Sequence, residues 1–338
     1  MERGGGAGRV ALITGATGMV GPRVVEAFHQ AGFVVRTLSD RPPGAGLLPP
    51  DVEVLTGDIA DAASVRHAVK GAAVVAHLAA LLHLPDPAPS LREAYDRTNV
   101  HGTRVVVEAS CQAGVERLVF FSTIAVYGSG KSGLVTEESV PRADSYYAQT
   151  KLAAEKIVLQ AKRHDGAPLG AVLRLGAVYG SRIKGNYERL VHALARGRFI
   201  PIGAGTTRRP ILYDRDAAAA AVLAMEHPAA AGRVFNVTDG HCHELRDIIG
   251  AICGALGRKP PRWSVPVGPA RLAAALVERL FKGIDRRPPI TRATIDKYTE
   301  DLCVDSSRIQ RDLGFKPAYD LHSGWSEAID MMREAGKV

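Results

Sequence analysis

Three groups of residues in this chain have types and spacings suited to chemistry. The first is Gly15-Ala16-Thr17-Gly18-Met19-Val20-Gly21, with glycine at every third position. Without side chains the backbone can turn tightly and approach a pyrophosphate, whose charge the amides at a helix N-terminus stabilise. The second is Tyr147 and Lys151, four residues apart and so on one face of a helix. An ammonium held near a phenol favours the phenolate and lowers its pKa from about 10 towards the range of an acid–base catalyst. The lysine can also hydrogen-bond a nicotinamide ribose. Tyr146 competes for the role, but its fourth neighbour is Thr150, which brings no charge. The third group is Ser122-Thr123, hydroxyls at the end of an apolar run. Thr123 would polarise a carbonyl or carbinol while Tyr147 moves the proton and a nicotinamide takes or gives hydride.

These groups need a frame that brings them to one crevice. Apolar, β-branched runs at Val10–Thr14, Val34–Leu38, Val52–Thr56, Val74–Leu78, Leu118–Ser122 and Ala171–Leu175 predict buried strands. Between them Gly18–Ala31, Ala62–Lys70, Asn99–Cys111 and Tyr146–Arg163 carry apolar residues at helical spacing. Strict alternation predicts an α/β fold, a doubly wound parallel (Rossmann) sheet with helices on both faces and its ligand at the carboxyl ends of the strands. After Tyr179 the pattern loosens: helices at Tyr187–Ala195 and Leu245–Leu256, turn glycines Gly203 and Gly205, and a strand at Arg233–Val237. Proline-marked breaks then separate Pro269–Leu280 from Arg292–Thr299. The expected division is a tail (1–8), a dinucleotide-binding domain (9–180, joined by a strand returning near 208–240) and a smaller α+β substrate domain (181–338).

The second strand ends at Ser39-Asp40-Arg41, about 20 residues past the glycine turn, where a carboxylate marks NAD by accepting from the ribose 2′-hydroxyl. Arg41 keeps NADP open, since an arginine there can hold a 2′-phosphate. NAD is the expected cofactor. Asp58, in Gly57-Asp58-Ile59, either accepts from an adenine amino group or caps the helix that starts near Asp61.

With 338 residues, 46% hydrophobic and 23% charged, the chain can build one large core or two domains. No apolar run approaches the roughly 18 to 20 residues of a membrane span, and Met1 to Gly8 lacks the apolar stretch of a signal peptide, so a cytoplasmic protein is expected. Cys111, Cys242, Cys253 and Cys303 form no C-x-x-C pair and read as reduced thiols. No metal site is expected, and His241-Cys242-His243 reads as a loop. A formal charge of +8 favours acidic company. The basic residues are scattered and no nucleic-acid module is present, which excludes a nucleic-acid partner. Pro269–Leu280 is an apolar helix flanked by Arg279 and Lys282. Core packing is its default, with contact to a membrane surface the alternative that a lipid-linked substrate would favour.

The ordered set Thr14 to Gly21, Gly57-Asp58-Ile59, His77-Leu78-Ala79-Ala80, Asn99-Val100-His101-Gly102-Thr103, Ser122 to Gly128, Tyr147 to Lys151, and Leu173-Arg174 with Val178-Tyr179-Gly180 resembles the extended short-chain dehydrogenase/reductase family, and within it the NAD-dependent epimerase/dehydratase group. The resemblance covers essentially the whole chain. It implies that Thr123, Tyr147 and Lys151 are catalytic. It also implies that Gly15, Thr17, Gly18, Met19, Val20, Gly21, Asp40, Arg41, Asp58, Ile59, Leu78, Ala79, Ala80, Asn99 and Ser122 surround the cofactor with Tyr147 and Lys151. Asn99 would organise the active-site helix.

Gly203-Ala204-Gly205, Arg209 and Tyr213-Asp214-Arg215-Asp216 resemble the second half of the nucleotide-sugar members, in which Arg209 would grip a substrate diphosphate with its planar fork of donors. Ala177 stands where many sugar epimerases have asparagine, which weakens transfer of UDP-hexose specificity. Gly185-Asn186-Tyr187 resembles members acting on sugars for surface polysaccharides, and makes Asn186 a substrate contact together with Thr123. The implied activity is C4 epimerisation of a diphosphate-linked sugar of UDP-glucose or UDP-GlcNAc type by a homodimer. A 4-keto-sugar reductase, a polyprenyl-diphosphate-linked sugar epimerase, a 3β-hydroxysteroid-type dehydrogenase and a non-catalytic NAD(H) sensor are the alternatives. Pro288-Pro289-Ile290-Thr291 and Leu313-Gly314-Phe315-Lys316-Pro317 occur across the sugar and sterol-like branches and do not decide.

Overall fold

The computed structural model describes residues 8–82, 89–129, 133–281 and 291–338. The tail before Gly8, Lys282 and Pro288-Pro289-Ile290 lie outside them. Seven strands form one parallel sheet: β1 Val10–Thr14, β2 Val34–Ser39, β3 Glu53–Thr56, β4 Val74–His77, β5 Arg117–Thr123, β6 Gly170–Leu175 and β7 Val234–Val237, in the spatial order β7-β6-β5-β4-β1-β2-β3. The expected doubly wound Rossmann architecture is what the chain adopts, with β7 returning from the second half to pair with β6. All residues of β4 and β6 are buried. Such strands read as continuous apolar runs because a parallel sheet is covered on both faces.

The helices are α1 Gly21–Gln30, α2 Ala62–Val69, α3 Pro89–Tyr95, α4 Thr103–Gln112, α5 Tyr146–Gln160, α6 Asn186–Ala195, α7 Asp214–Glu226, α8 Leu245–Ala255, α9 Val267–Leu280, α10 Arg292–Tyr298, α11 Ser307–Leu313 and α12 Leu321–Glu334. Strand side chains alternate between two cores. Ala11 and Ile13 join Val24, Val25 and Phe28 of α1 and the alanines of α7, while Leu12 joins Val65 of α2, Val106 of α4 and Val158 of α5. Sequence periodicity missed α7. Its run Ala217 to Ala221 has no polar stripe to contrast with, and short side chains let the helix lie close on the sheet.

A third core gathers Ile183, Val191 and Leu194 with Ile248, Ile252, Ile329 and Trp325. Trp325 stacks on Tyr179, with ring centroids 4.4 Å apart. The expectation of four reduced thiols is corrected for two of them. Cys242 and Cys303 are disulfide-bonded, their Cα atoms 5.3 Å apart across 61 residues of sequence, while Cys111 and Cys253 are free. The loop after β7 and the segment entering Cys303–Val304 meet only in the folded chain, so spacing gave no sign of the bond.

Gly324 marks how closely α12 sits on the third core: a Cβ there would lie 2.1 Å from the Tyr179 hydroxyl, which belongs to a ring 1% exposed. Gly324→Ala is expected to cost about 2 kcal/mol of stability, read as a lowered midpoint in calorimetry. An unchanged midpoint would mean that α12 is not seated as described.

Candidate active site

The carboxyl ends of β1, β4 and β5 lie side by side, and the site is built on them. Gly15 has φ of 77°, and a Cβ there would come within 2.6 Å of the Ala79 nitrogen; one on Gly21 would meet the Ala16 oxygen at 2.3 Å. The turn therefore needs glycine at both points, and the open cradle it leaves above the start of α1 fits the pyrophosphate of a dinucleotide. The Ser39 hydroxyl at the end of β2 is buried and unpartnered, beside the exposed pair Asp40–Arg41 (3.5 Å). Asp58 accepts from the Ala60 amide at 2.8 Å and pairs with Arg97, whereas the side chain capping α2 is that of Asp61. The capping role weighed for Asp58 thus falls to its neighbour.

Under the turn runs a hydrogen-bond chain that the motifs did not announce. The Ala79 amide donates to Thr14 Oγ1, which lies 2.7 Å from His77 Nδ1; His77 Nε2 lies 3.0 Å from Thr103 Oγ1, which donates to the Asn99 carbonyl. Because Thr103 gives its proton away, His77 carries its own on Nε2 and accepts at Nδ1. Burial, with Lys151 nearby, lowers its pKa to about 3, so the ring is neutral at working pH. Asn99 stands in a π-helical stretch, Asp96–Gly102, that replaces the start of the expected single helix. Its side-chain oxygen accepts from the Leu81 amide (2.7 Å) and its nitrogen donates to Thr150 Oγ1 (3.1 Å), tying the loop after β4 to α5.

Ser145 caps α5, which carries Tyr147 and Lys151. Tyr146 turns away, its hydroxyl 2.5 Å from Asp96 Oδ2. Lys151 is 2% exposed and its Nζ lies 4.0 Å from the centroid of the Phe120 ring on β5. Thr123 accepts from the Ala125 amide at 3.2 Å, which leaves its own proton for an oxygen in the crevice. Ser122 points inward and donates to Glu155 Oε1. Glu155 forms a buried ion pair with Arg174 at 2.7 Å; Arg174 also donates to the Tyr127 hydroxyl, which donates to Asn236 on β7. Neither Glu155 nor Arg174 was singled out as a working residue. The signals were there: a carboxylate four residues past Lys151, and a charge inside an otherwise apolar strand.

Burial sets the electrostatics of the pair. Burial, with Tyr95 beside it, pushes the Tyr147 phenol up to about 12, and burial pulls the Lys151 ammonium down to about 7 against the opposing pull of Glu155. Desolvation disfavours both charged forms, the phenolate and the ammonium alike.

The second half reaches the same crevice. Arg182, just past Tyr179, donates to the Thr17 carbonyl of the glycine turn at 3.2 Å, and Met19 packs against the third core. Sequence reading passed over Arg182. Arg209 donates to the backbone carbonyls of Arg208, Glu300 and Tyr298, the last at 2.8 Å. Tyr187 is close enough to Arg209 to feel its charge, and Asn186 is exposed at the start of α6. Asp216 accepts from the Ala318 and Tyr319 amides and anchors the approach to α12. His243 pairs with Asp239 at 2.6 Å, and among the described residues no group of three or more His, Cys, Asp or Glu is arranged to hold a metal ion.

With this geometry in view, residues 11–238 match the model of the NAD dependent epimerase/dehydratase family. The chain belongs to that family. It is an enzyme with a nicotinamide-dinucleotide site. It is 28% identical over 336 residues to UDP-glucose 4-epimerase of Vibrio cholerae, covering 96% of this chain and 95% of that protein. It is 27% identical to a 3 beta-hydroxysteroid dehydrogenase/Delta 5-->4-isomerase of Mycobacterium tuberculosis, covering 95% and 90%. The solved structure of MoeE5 in complex with UDP-glucose and NAD superposes with a TM-score of 0.74 at 28% identity, covering 97% of this chain and 99% of that one.

Between pH 10.5 and about 7 the unfolded chain binds a proton at Lys151 that the folded chain refuses. The cost to stability is therefore complete below pH 7 and disappears as the pH rises past 10.5. Lys151→Met is expected to gain about 2 kcal/mol in urea unfolding at pH 7, shrinking towards pH 10. A gain independent of pH would rule out the buried ammonium as its source.

Proposed function

We propose that the chain is an NAD-dependent epimerase acting at C4 of a diphosphate-linked sugar of UDP-glucose or UDP-GlcNAc type, through transient oxidation to the 4-keto sugar. The observation that carries this reading is the bond from Arg182 to the Thr17 carbonyl. A residue of the second half closes over the glycine turn, an arrangement suited to a cofactor that stays bound through a cycle and is regenerated within it. A reductase must release its spent cofactor at each turnover.

NAD, when bound, supplies the hydride acceptor and donor and a positive ring charge. Tyr147 takes the proton from the C4 hydroxyl and later returns one to the C4 oxygen. Positive charge beside the buried phenol brings it down from about 12 towards the working range. Lys151 holds the ribose and the phenolate, and Thr123 donates to the C4 oxygen and orients it. The keto sugar then turns over so that its opposite face is presented. Arg209 forms the substrate end with Asn186 and its α6 neighbour Tyr187, and Arg209 takes the diphosphate by exchanging backbone carbonyls for phosphate oxygens. Asp40 reads the ribose 2′-hydroxyl. The assembly is a homodimer, for which the groove of about 450 Å³ between α4 and α5, floored by Leu152, Ala153 and Ile157, offers a seat.

Incubation with UDP-glucose, UDP-GlcNAc and lipid-linked GlcNAc, with and without NADPH, tests the reading. The epimer is expected without added reductant, and Tyr147→Phe should cut turnover about 10³-fold while NAD binding persists. Strict stoichiometric consumption of NADPH would establish a reductase instead.

A further inference from the structure

Helix α9 meets the expected core only through its small residues, Ala270 and Ala274 joining Ile295 in a small cluster, while its leucines face outward. Ala270 and Ala274 are 9% and 1% exposed, whereas Leu272, Leu276 and Leu280 are 66%, 52% and 73% exposed. Residues four apart share one face, so the leucines form a ridge about 12 Å long. The segment entering the helix adds Trp263, 86% exposed, and Val265. Val265 bonds the Pro201 carbonyl at 2.9 Å and so brings the exposed Ile200 to the same end.

The surroundings are basic. Arg258, Lys259, Arg262, Arg271 and Arg279 stand between residues 258 and 280 against a single acid in that stretch, Glu278, which is bound to Arg292, and Arg271 pairs with Asp296 of α10 at 3.3 Å. Arg196 and Arg198 are exposed on the neighbouring turn after α6. Among the described residues no helix is long and apolar enough to cross a membrane.

We propose that this face is a seat for an anionic lipid surface. The leucine ridge and Trp263 enter the boundary between headgroups and acyl chains, and the flanking arginines and lysine meet lipid phosphates. A second copy of the chain is the poorer occupant, because pairing two such ridges would bring like-charged rims together.

The test uses the full chain without any sugar, so its outcome is independent of the epimerase reading. Flotation is measured with vesicles of phosphatidylcholine alone and with about 30% phosphatidylglycerol. Partitioning is expected to rise about tenfold with the anionic lipid and to fall as salt is added. Replacing Leu272, Leu276 and Leu280 together by serine should lower it roughly 100-fold with an unchanged circular dichroism spectrum. Arg258→Gln, Lys259→Gln and Arg262→Gln together should remove only the part that depends on anionic lipid. No flotation of the parent chain, or equal flotation of the leucine variant, overturns the proposal. So does a parent dimer that the leucine variant splits while neither protein floats, since the ridge would then join two copies.

Discussion

The buried ion pair between Glu155 and Arg174 is the constraint from which the site takes its shape. Two charges with 1% and 5% exposure are tolerable inside a protein only when paired and hydrogen-bonded, and separating them costs about 3–5 kcal/mol. That requirement fixes the roll of α5 against the sheet. Tyr147 and Lys151 lie two turns and one turn earlier on the same helix face, so the pairing that satisfies Glu155 also sets their direction. Ser122, Tyr127 and Asn236 use the remaining donors and acceptors and carry the constraint across β5, β6 and β7.

Much of the frame could be read from sequence because parallel strands buried on both faces announce themselves as apolar runs. Their ends shifted by a residue or so; β5, for example, extends to Arg117 and Thr123. One helix stayed hidden because its local pattern has no contrast. The alanines of α7 offer no polar face to compare, while α11 and α12 follow the last proline-marked breaks. The capping box of Asp320 and Ser323 was nonetheless a usable signal for α12.

The working pair was visible in the spacing of Tyr147 and Lys151, but its electrostatics were not. Spacing reports which side chains are neighbours; it does not report how much water they lose. Loss of water decides both pKa values here. The same limit applies to Arg209, two of whose three acceptors are the distant carbonyls of Glu300 and Tyr298, and to α9, whose leucines and alanines read alike until the packing shows which are covered.

The π-helical stretch from Asp96 to Gly102 makes chain length a specification in its own right. Each residue of an ordinary helix turns the chain by about 100°, and the wider turn absorbs one residue's worth of rotation. A chain shortened by one there could keep α4 in place and hold every side chain named in this site. Asn99 would then face away from Leu81 and Thr150, and α5 would lose its tie to the loop after β4. In comparing relatives, a gap in this stretch carries more meaning than a substitution, because register rather than residue identity aims the amide.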